Sequence, residues 1–281
     1  MNGNQGIHFD TPFRTRTCTT MTPPCRYVLP VFVLWLVSVP LLAQDLTNQS
    51  SLFEKGIALH GGAGLLAVRD EFISSEKYSG TGPFLAARWS RDHETYGYRL
   101  SLQYLFTSGL KNHNVSAELR QFSLGVDFLY PAGKMVLRGK ELYFFAGPSA
   151  ELFLHFRRQN IAGSGESIFN AYSAASLISA GVRSEAYCPI GAEITLDGSS
   201  QLSILSFGGR SVDPRKTGAS PFRLLTLFTG LNAHGELGAN YRATASLRIR
   251  IAYRLEVTRI TSWDYFISGS DSFILGVTYA L

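Results

Sequence analysis

The residues of this chain with chemistry to offer are a scatter of histidines and a row of arginines. His60, His93, His113, His155 and His234 show no spacing that would bring several of them onto one metal ion. A nucleophilic serine needs a base within reach. His155 shares the parity of Ser149, and His155 and His234 are expected at one rim of the fold. No His-x-Ser triplet occurs, so solvated rim histidines are the simpler reading and no catalytic residue is assigned. The run "HGGAG" at 60–64 lacks the Lys-Ser/Thr of a phosphate loop and reads as small residues in a strand. Arg248, Arg250 and Arg254 recur at even positions. Such a row either lines a constriction that passes small anions or is answered by acids, with Glu236, Glu185 and Glu193 as the candidates. No cofactor or metal is implied.

The elements that must position these residues have a period of two. In "TYGYRLSLQYLF" (95–106), Tyr96, Tyr98, Leu100, Leu102, Tyr104 and Phe106 share one face, and Arg99, Ser101 and Gln103 the other. A helix would scatter these groups; a strand segregates them. "QFSLGVDFLY" (121–130) repeats the pattern, and "SLRIRIAYRLEV" (246–257) shows it most sharply. Ten strands are expected, at 56–68, 83–91, 95–107, 116–130, 141–157, 171–188, 192–207, 232–242, 246–258 and 271–281. "PFRLLTLFTG" within 208–231 is left as a further strand or short helix, so eight or twelve strands stay open. Short connections at 92–94, 131–140, 189–191 and 243–245 alternate with longer polar ones at 69–82, 108–115, 158–170, 208–231 and 259–270. Within 172–207 the turn is placed at "PIG" (189–191) rather than "DGS" (197–199), because proline cannot donate to a sheet ladder.

The apolar run "YVLPVFVLWLVSVPLLA" (27–43) follows Arg14, Arg16 and Arg26 and ends on small residues, the order of a secretory signal peptide. The competing membrane anchor is disfavoured by Pro30 and Pro40 and by a length short of the roughly 20 residues of a span. The expected organisation is a signal peptide over 1–43, with Met21 as an alternative start, a short periplasmic segment over 44–55, and one domain over 56–281. Cys18 and Cys25 would leave with the leader, so Cys188 alone remains and no intrachain disulfide forms. The net charge of +5 is spread along strands and loops without a basic patch or helix, which argues against nucleic acid.

Alternation alone does not separate a membrane barrel from a soluble, lipocalin-like binding barrel. Two features do. The apolar rows carry aromatics at their ends, and ten residues at about 3.3 Å each, tilted by about 40°, span about 25 Å, the height of an outer-membrane apolar band. The opposite rows carry Arg99, Asp127, Glu151, Arg183, Glu185, Glu193, Glu236, Arg248, Arg250, Arg254 and Glu256. Those charges suit a polar lumen and not a dry core. The fold class expected is all-β, a transmembrane antiparallel up-and-down barrel.

On these residues the chain resembles the Gram-negative outer-membrane β-barrels. Phe273, Leu275, Val277, Tyr279 and Leu281 resemble the family's C-terminal insertion signal, with leucine where an aromatic ring usually ends the chain. The "LLAQ" leader end and the "LGVTYAL" close are similar to barrels of the Bacteroidota. The resemblance implies integral outer-membrane residence, contact with outer-membrane lipid, and recognition by the barrel assembly machinery. It implies no enzyme, and a structural or weakly pore-forming role. The alternative within the family is a lipase or deacylase acting on outer-leaflet lipid. The polar loops, with Arg210, Arg215, Trp263, Asp264 and Tyr265, are where an external partner of unassigned chemistry would bind.

Overall fold

The computed structural model describes residues 55–93, 95–112, 115–160, 172–211 and 220–281. The leader over 1–43 lies outside the described residues, as does the 44–55 segment apart from Lys55. Eleven strands follow in order: β1 Gly56–Asp70, β2 Ser74–Asp92, β3 Gly97–Lys111, β4 Ser116–Leu137, β5 Lys140–Asn160, β6 Tyr172–Pro189, β7 Ile194–Arg210, β8 Phe222–Thr226, β9 Gly230–Arg242, β10 Leu247–Ile260 and β11 Phe266–Tyr279. From β1 to β7 and from β9 to β11 each strand pairs antiparallel with the next, β8 and β9 both pair with β7, and β11 pairs with β1 from Ile57↔Tyr279 to Asp70↔Phe266. The sheet is therefore a closed barrel of ten staves.

The eighth stave is divided. β7 pairs with β9 over Ile194–Leu202 and with β8 over Leu205–Gly209. β8 and β9 descend in line, separated by a tight excursion in which the Thr229 amide donates to the Thr226 carbonyl at 3.0 Å. The excursion turns Phe228 outward, 86% exposed. The stretch that the sequence leaves as strand or helix is thus the upper part of a stave.

Several connections expected as loops are strand instead. The pairing of β1 with β2 runs through Gly64↔Gly82 and Ala67↔Ser79 to Arg69↔Lys77, leaving only a three-residue turn where 69–82 was expected as loop. Likewise 259–270 contracts to residues 261–265. The final strand starts at Phe266, five residues earlier than expected. In these stretches the outward face takes polar and small residues as well as apolar ones. Backbone pairing continues although the apolar alternation stops.

At the opposite end, the expected connection 131–140 is a two-residue hairpin between Leu137 and Lys140. Arg138 (φ 50°) and Gly139 (φ 75°) both occupy the left-handed region, the geometry of a primed turn that matches strand twist. Just inside it, the Lys134 ammonium lies 2.5 Å from Glu141 and holds that carboxyl below its usual range. Replacing Gly139 by alanine places a Cβ in the left-handed region and is expected to cost about 1–2 kcal/mol. Gly139→Asn should cost much less. The unfolding midpoints of the two variants in detergent check this.

Inward and outward rows segregate as alternation dictates. The outward rows include Leu100, Leu102 and Tyr104 on β3, Ile249, Ile251 and Tyr253 on β10, and Phe273, Leu275, Val277 and Tyr279 on β11, all exposed. The inward rows are not uniformly polar. Toward the end where β1 begins and β11 ends, Leu129, Phe145 and Tyr187 pack with Tyr143. Toward the other end, Val68, Leu105, Leu119, Phe153, Leu177 and Phe266 belong to a larger apolar cluster filling the barrel mouth. The charges lie broadly between the two.

Candidate functional site

The middle of the barrel holds ion pairs and hydrogen bonds in two lobes. Arg99 on β3 reaches across to Glu185 on β6 with both terminal nitrogens, one of them at 2.9 Å. Glu185 also accepts from Arg183 Nε at 2.7 Å and from the Tyr187 hydroxyl at 2.5 Å. Arg183 lies 3.5 Å from Asp127 and donates to Gln201 at 3.3 Å and Ser199 at 3.2 Å. Gln201 and Asn232 donate to Glu151 at 2.9 and 3.2 Å. A second lobe forms on β7, β9 and β10. Arg250 donates to both oxygens of Asp197 at 2.8 and 2.5 Å and to Glu236 at 2.7 Å. Arg254 lies 3.6 Å from Glu236 and 3.3 Å from Glu256, which accepts from Gln121 at 2.6 Å. Arg88 completes this lobe, 3.6 Å from Glu236.

Five arginines here face six carboxylates: Arg88, Arg99, Arg183, Arg250 and Arg254 against Asp127, Glu151, Glu185, Asp197, Glu236 and Glu256. An anion-selective constriction needs cations whose fields are left open to the ion. These guanidinium groups are committed to carboxylates. A cavity beside the second lobe, lined by His60, Arg88, Gln103, Glu236 and Arg254, holds about 10 Å³, room for a single water.

Of the eleven charges expected in the lumen, the structure gathers nine. Glu193 is exposed in the loop 190–193, one residue before β7 begins. Arg248 is half-buried at the lower end of β10, in register with Arg242 and Thr278. Arg88 and Asp197 are the charged members that the sequence reading passed over. Parity on β2 places Arg88 inward with Phe84 and Ala86, and this signal was available. Asp197 stood in a competing turn candidate, "DGS", which the structure resolves as β7 strand.

The histidines expected at a solvated rim are buried. His234 lies in the network, with Nε2 3.2 Å from Arg183 Nη1. His155 is fully covered and meets the Phe266 ring edge-on at 4.9 Å. Neither nitrogen of His155 and not the Ser149 hydroxyl has a hydrogen-bond partner, so the two do not bond each other. Six residues apart on one strand, they stand about 20 Å apart, and no Ser–His dyad exists between them. His113 lies outside the described residues. Among the described residues no group of histidine, cysteine and acidic side chains is placed to hold a metal.

The loop residues expected to face outward divide similarly. Arg215 lies outside the described residues. Arg210 turns into the mouth and forms a fully buried ion pair with Asp70, which also accepts from the Ser173 hydroxyl at 2.5 Å. Trp263 donates to the Ser220 carbonyl at 2.9 Å, under the Arg223 guanidinium. Tyr265 lies between Arg69 and Arg259, whose guanidinium carbons are 5.7 and 5.8 Å from its ring. The Asp264 carbonyl receives Arg210. Among the described residues, this part of the rim is built of paired arginines and aromatics.

No family model and no curated protein sequence match the chain. Similar solved structures include the outer membrane protease OmpT from Escherichia coli. It is 11% identical, the match spans 80% of this chain and 97% of that one, and the TM-score is 0.49. Neisserial surface protein A is 12% identical, over 82% and 99%, with a TM-score of 0.36. The attachment invasion locus protein Ail of Yersinia pestis is 10% identical, over 80% and 98%, with a TM-score of 0.28. What is shared is barrel architecture. The protease activity and the attachment role belong to those proteins.

Proposed function

We propose that this chain is an integral outer-membrane barrel that does not conduct, a rigid scaffold whose outer rim is the binding surface. The observation that carries the reading is the filled lumen, a charge network closed between two apolar layers. The belt of exposed Leu, Ile, Val, Phe and Tyr around the outside supports membrane residence. A soluble protein rarely exposes a contiguous apolar patch beyond a few hundred Å², and a lipocalin-like barrel turns its apolar rows inward. The row Phe273, Leu275, Val277 and Tyr279 faces outward on the closing strand, where the assembly machinery could read it as an insertion signal; Leu281 follows just beyond the strand. The partners proposed are therefore outer-membrane lipid and, during insertion, that machinery.

The refolded protein in a planar bilayer is expected to show no discrete conductance steps at neutral pH. Reproducible unitary steps would remove the scaffold reading in favour of a pore. Heat-modifiable gel migration of membrane-extracted protein tests the barrel itself, and recovery of the mature chain as a soluble periplasmic protein without detergent would overturn membrane residence.

A further inference from the structure

Toward the barrel mouth, the inward row of β5 runs through Phe153, His155, Arg157 and Gln159, all buried. Of the six arginines buried among the described residues, Arg99, Arg183, Arg210, Arg250 and Arg254 each have a carboxylate partner. Arg157 has none. It is 1% exposed, and Nε, Nη1 and Nη2 all lack a hydrogen-bond partner. Its guanidinium lies in the mouth on the face of Tyr78, 3.8 Å from the ring centre. Two residues down the row, both ring nitrogens of His155 lack a partner as well.

The neighbouring groups do not answer this charge. Asp70 is already taken: Oδ1 receives Arg210 and the Phe72 amide, and Oδ2 receives the Ser173 hydroxyl. The Tyr78 hydroxyl accepts from Gln159 at 2.6 Å. In register with Arg157 stand Leu119 on β4 and Ser173 on β6. One positive charge is thus left uncompensated beside the apolar cluster that includes Leu119, Phe153 and Phe266.

A buried guanidinium with five donors and no acceptor is costly to keep. The Tyr78 ring answers the charge in part but accepts none of the in-plane N–H groups. A bound anion would do both. A single uncompensated charge calls for a monoanion, since a dianion would bring a second unpaired charge into the same apolar surround. The planar fork matches a carboxylate, which takes two parallel N–H bonds. The apolar neighbours suit the carbon end of a short organic acid.

We propose that the barrel mouth holds a site for a small carboxylate, gripped by the fork of Arg157 against Tyr78, with His155 as the further donor on the same row. The site goes beyond the scaffold reading and depends on the closed barrel alone.

Refolded protein in a neutral detergent, with sodium sulfate as the only other salt, is titrated calorimetrically with acetate and with chloride. Acetate should bind saturably and at least tenfold tighter than chloride. The unfolding midpoint should rise with it, because a ligand held only by the folded state stabilises that state. R157K, which keeps the charge and loses the fork, should weaken binding tenfold or more. R157M should abolish both the binding and the rise in midpoint. R158Q, one residue along on the outward face, should change neither, which separates the site from the surface arginines. Heat-modifiable migration of each variant shows whether its barrel has closed. Should neither Arg157 variant close, the preference of the unmodified protein and of R158Q for acetate over chloride decides. No saturable acetate binding, chloride as tight as acetate, binding that R157K and R157M leave unchanged, or binding lost in R158Q overturns the proposal.

Discussion

Glu185→Gln is expected to lower the stability of the folded barrel by about 3–5 kcal/mol, the usual effect of removing one partner from a buried ion pair. Glu185 receives Arg99 through two nitrogens, Arg183 through Nε and Tyr187 through its hydroxyl. Glutamine keeps the shape but can accept at only one oxygen. Its amide hydrogens would point at the guanidinium groups. Arg183 retains Gln201 and Ser199, with Asp127 at 3.5 Å. Arg99 keeps the Tyr187 hydroxyl at 3.3 Å. Arg99 makes two of the bonds to Glu185 and Arg183 one, so most of the loss falls on Arg99. Removing both charges with R99M/E185L should cost much less than the two single changes together, since a buried pair is often replaced by apolar groups at little cost. Denaturant unfolding in detergent, followed by the fluorescence of Trp89 and Trp263, measures both. If E185Q unfolds within about 0.5 kcal/mol of the unmodified protein, as a water-exposed substitution would, the lumen is wet and the sealed scaffold is wrong.

The network illustrates what alternation discloses and what it hides. Parity alone brings Arg99, Asp127, Glu185 and Arg250 to one side of the sheet, because a strand has only two sides. It says nothing of height. The sequence reading therefore filled the whole lumen with polar groups and missed the apolar mouth, where Leu105 and Phe153 occupy the same inward rows as Arg99 and Glu151. Height comes from which strands lie opposite, and that is set by register around the closed sheet. The same limit misplaced His155 and His234, which were assigned to a rim by their distance along the chain. Strand length was underread for a different reason. The period-two signal exists only where the two faces of the strand have different surroundings. In Gly80, Thr81 and Gly82 the strand continues without it.

Leu275→Arg is the change that most directly asks what surrounds the barrel. Leu275 lies mid-row on the closing strand, 54% exposed, opposite Ile251 on one side and Gly61 on the other. If that face meets water, an exposed leucine exchanged for arginine alters stability by no more than about 0.5 kcal/mol in either direction. If it meets the middle of a bilayer, the same exchange costs about 2–4 kcal/mol, and the cost falls toward zero near the interfaces. Depth dependence makes the test specific. Tyr279, four residues nearer the end of the strand, should tolerate arginine with a loss of about 1 kcal/mol or less. A structural defect in β11 would give no such gradient, because both side chains stand on the same outward row of the same strand pair. The measurement is unfolding in phosphatidylcholine vesicles, repeated in detergent, where the gradient should shrink. Equal effects at both positions, or none at Leu275, would return the apolar belt to the status of an ordinary protein surface.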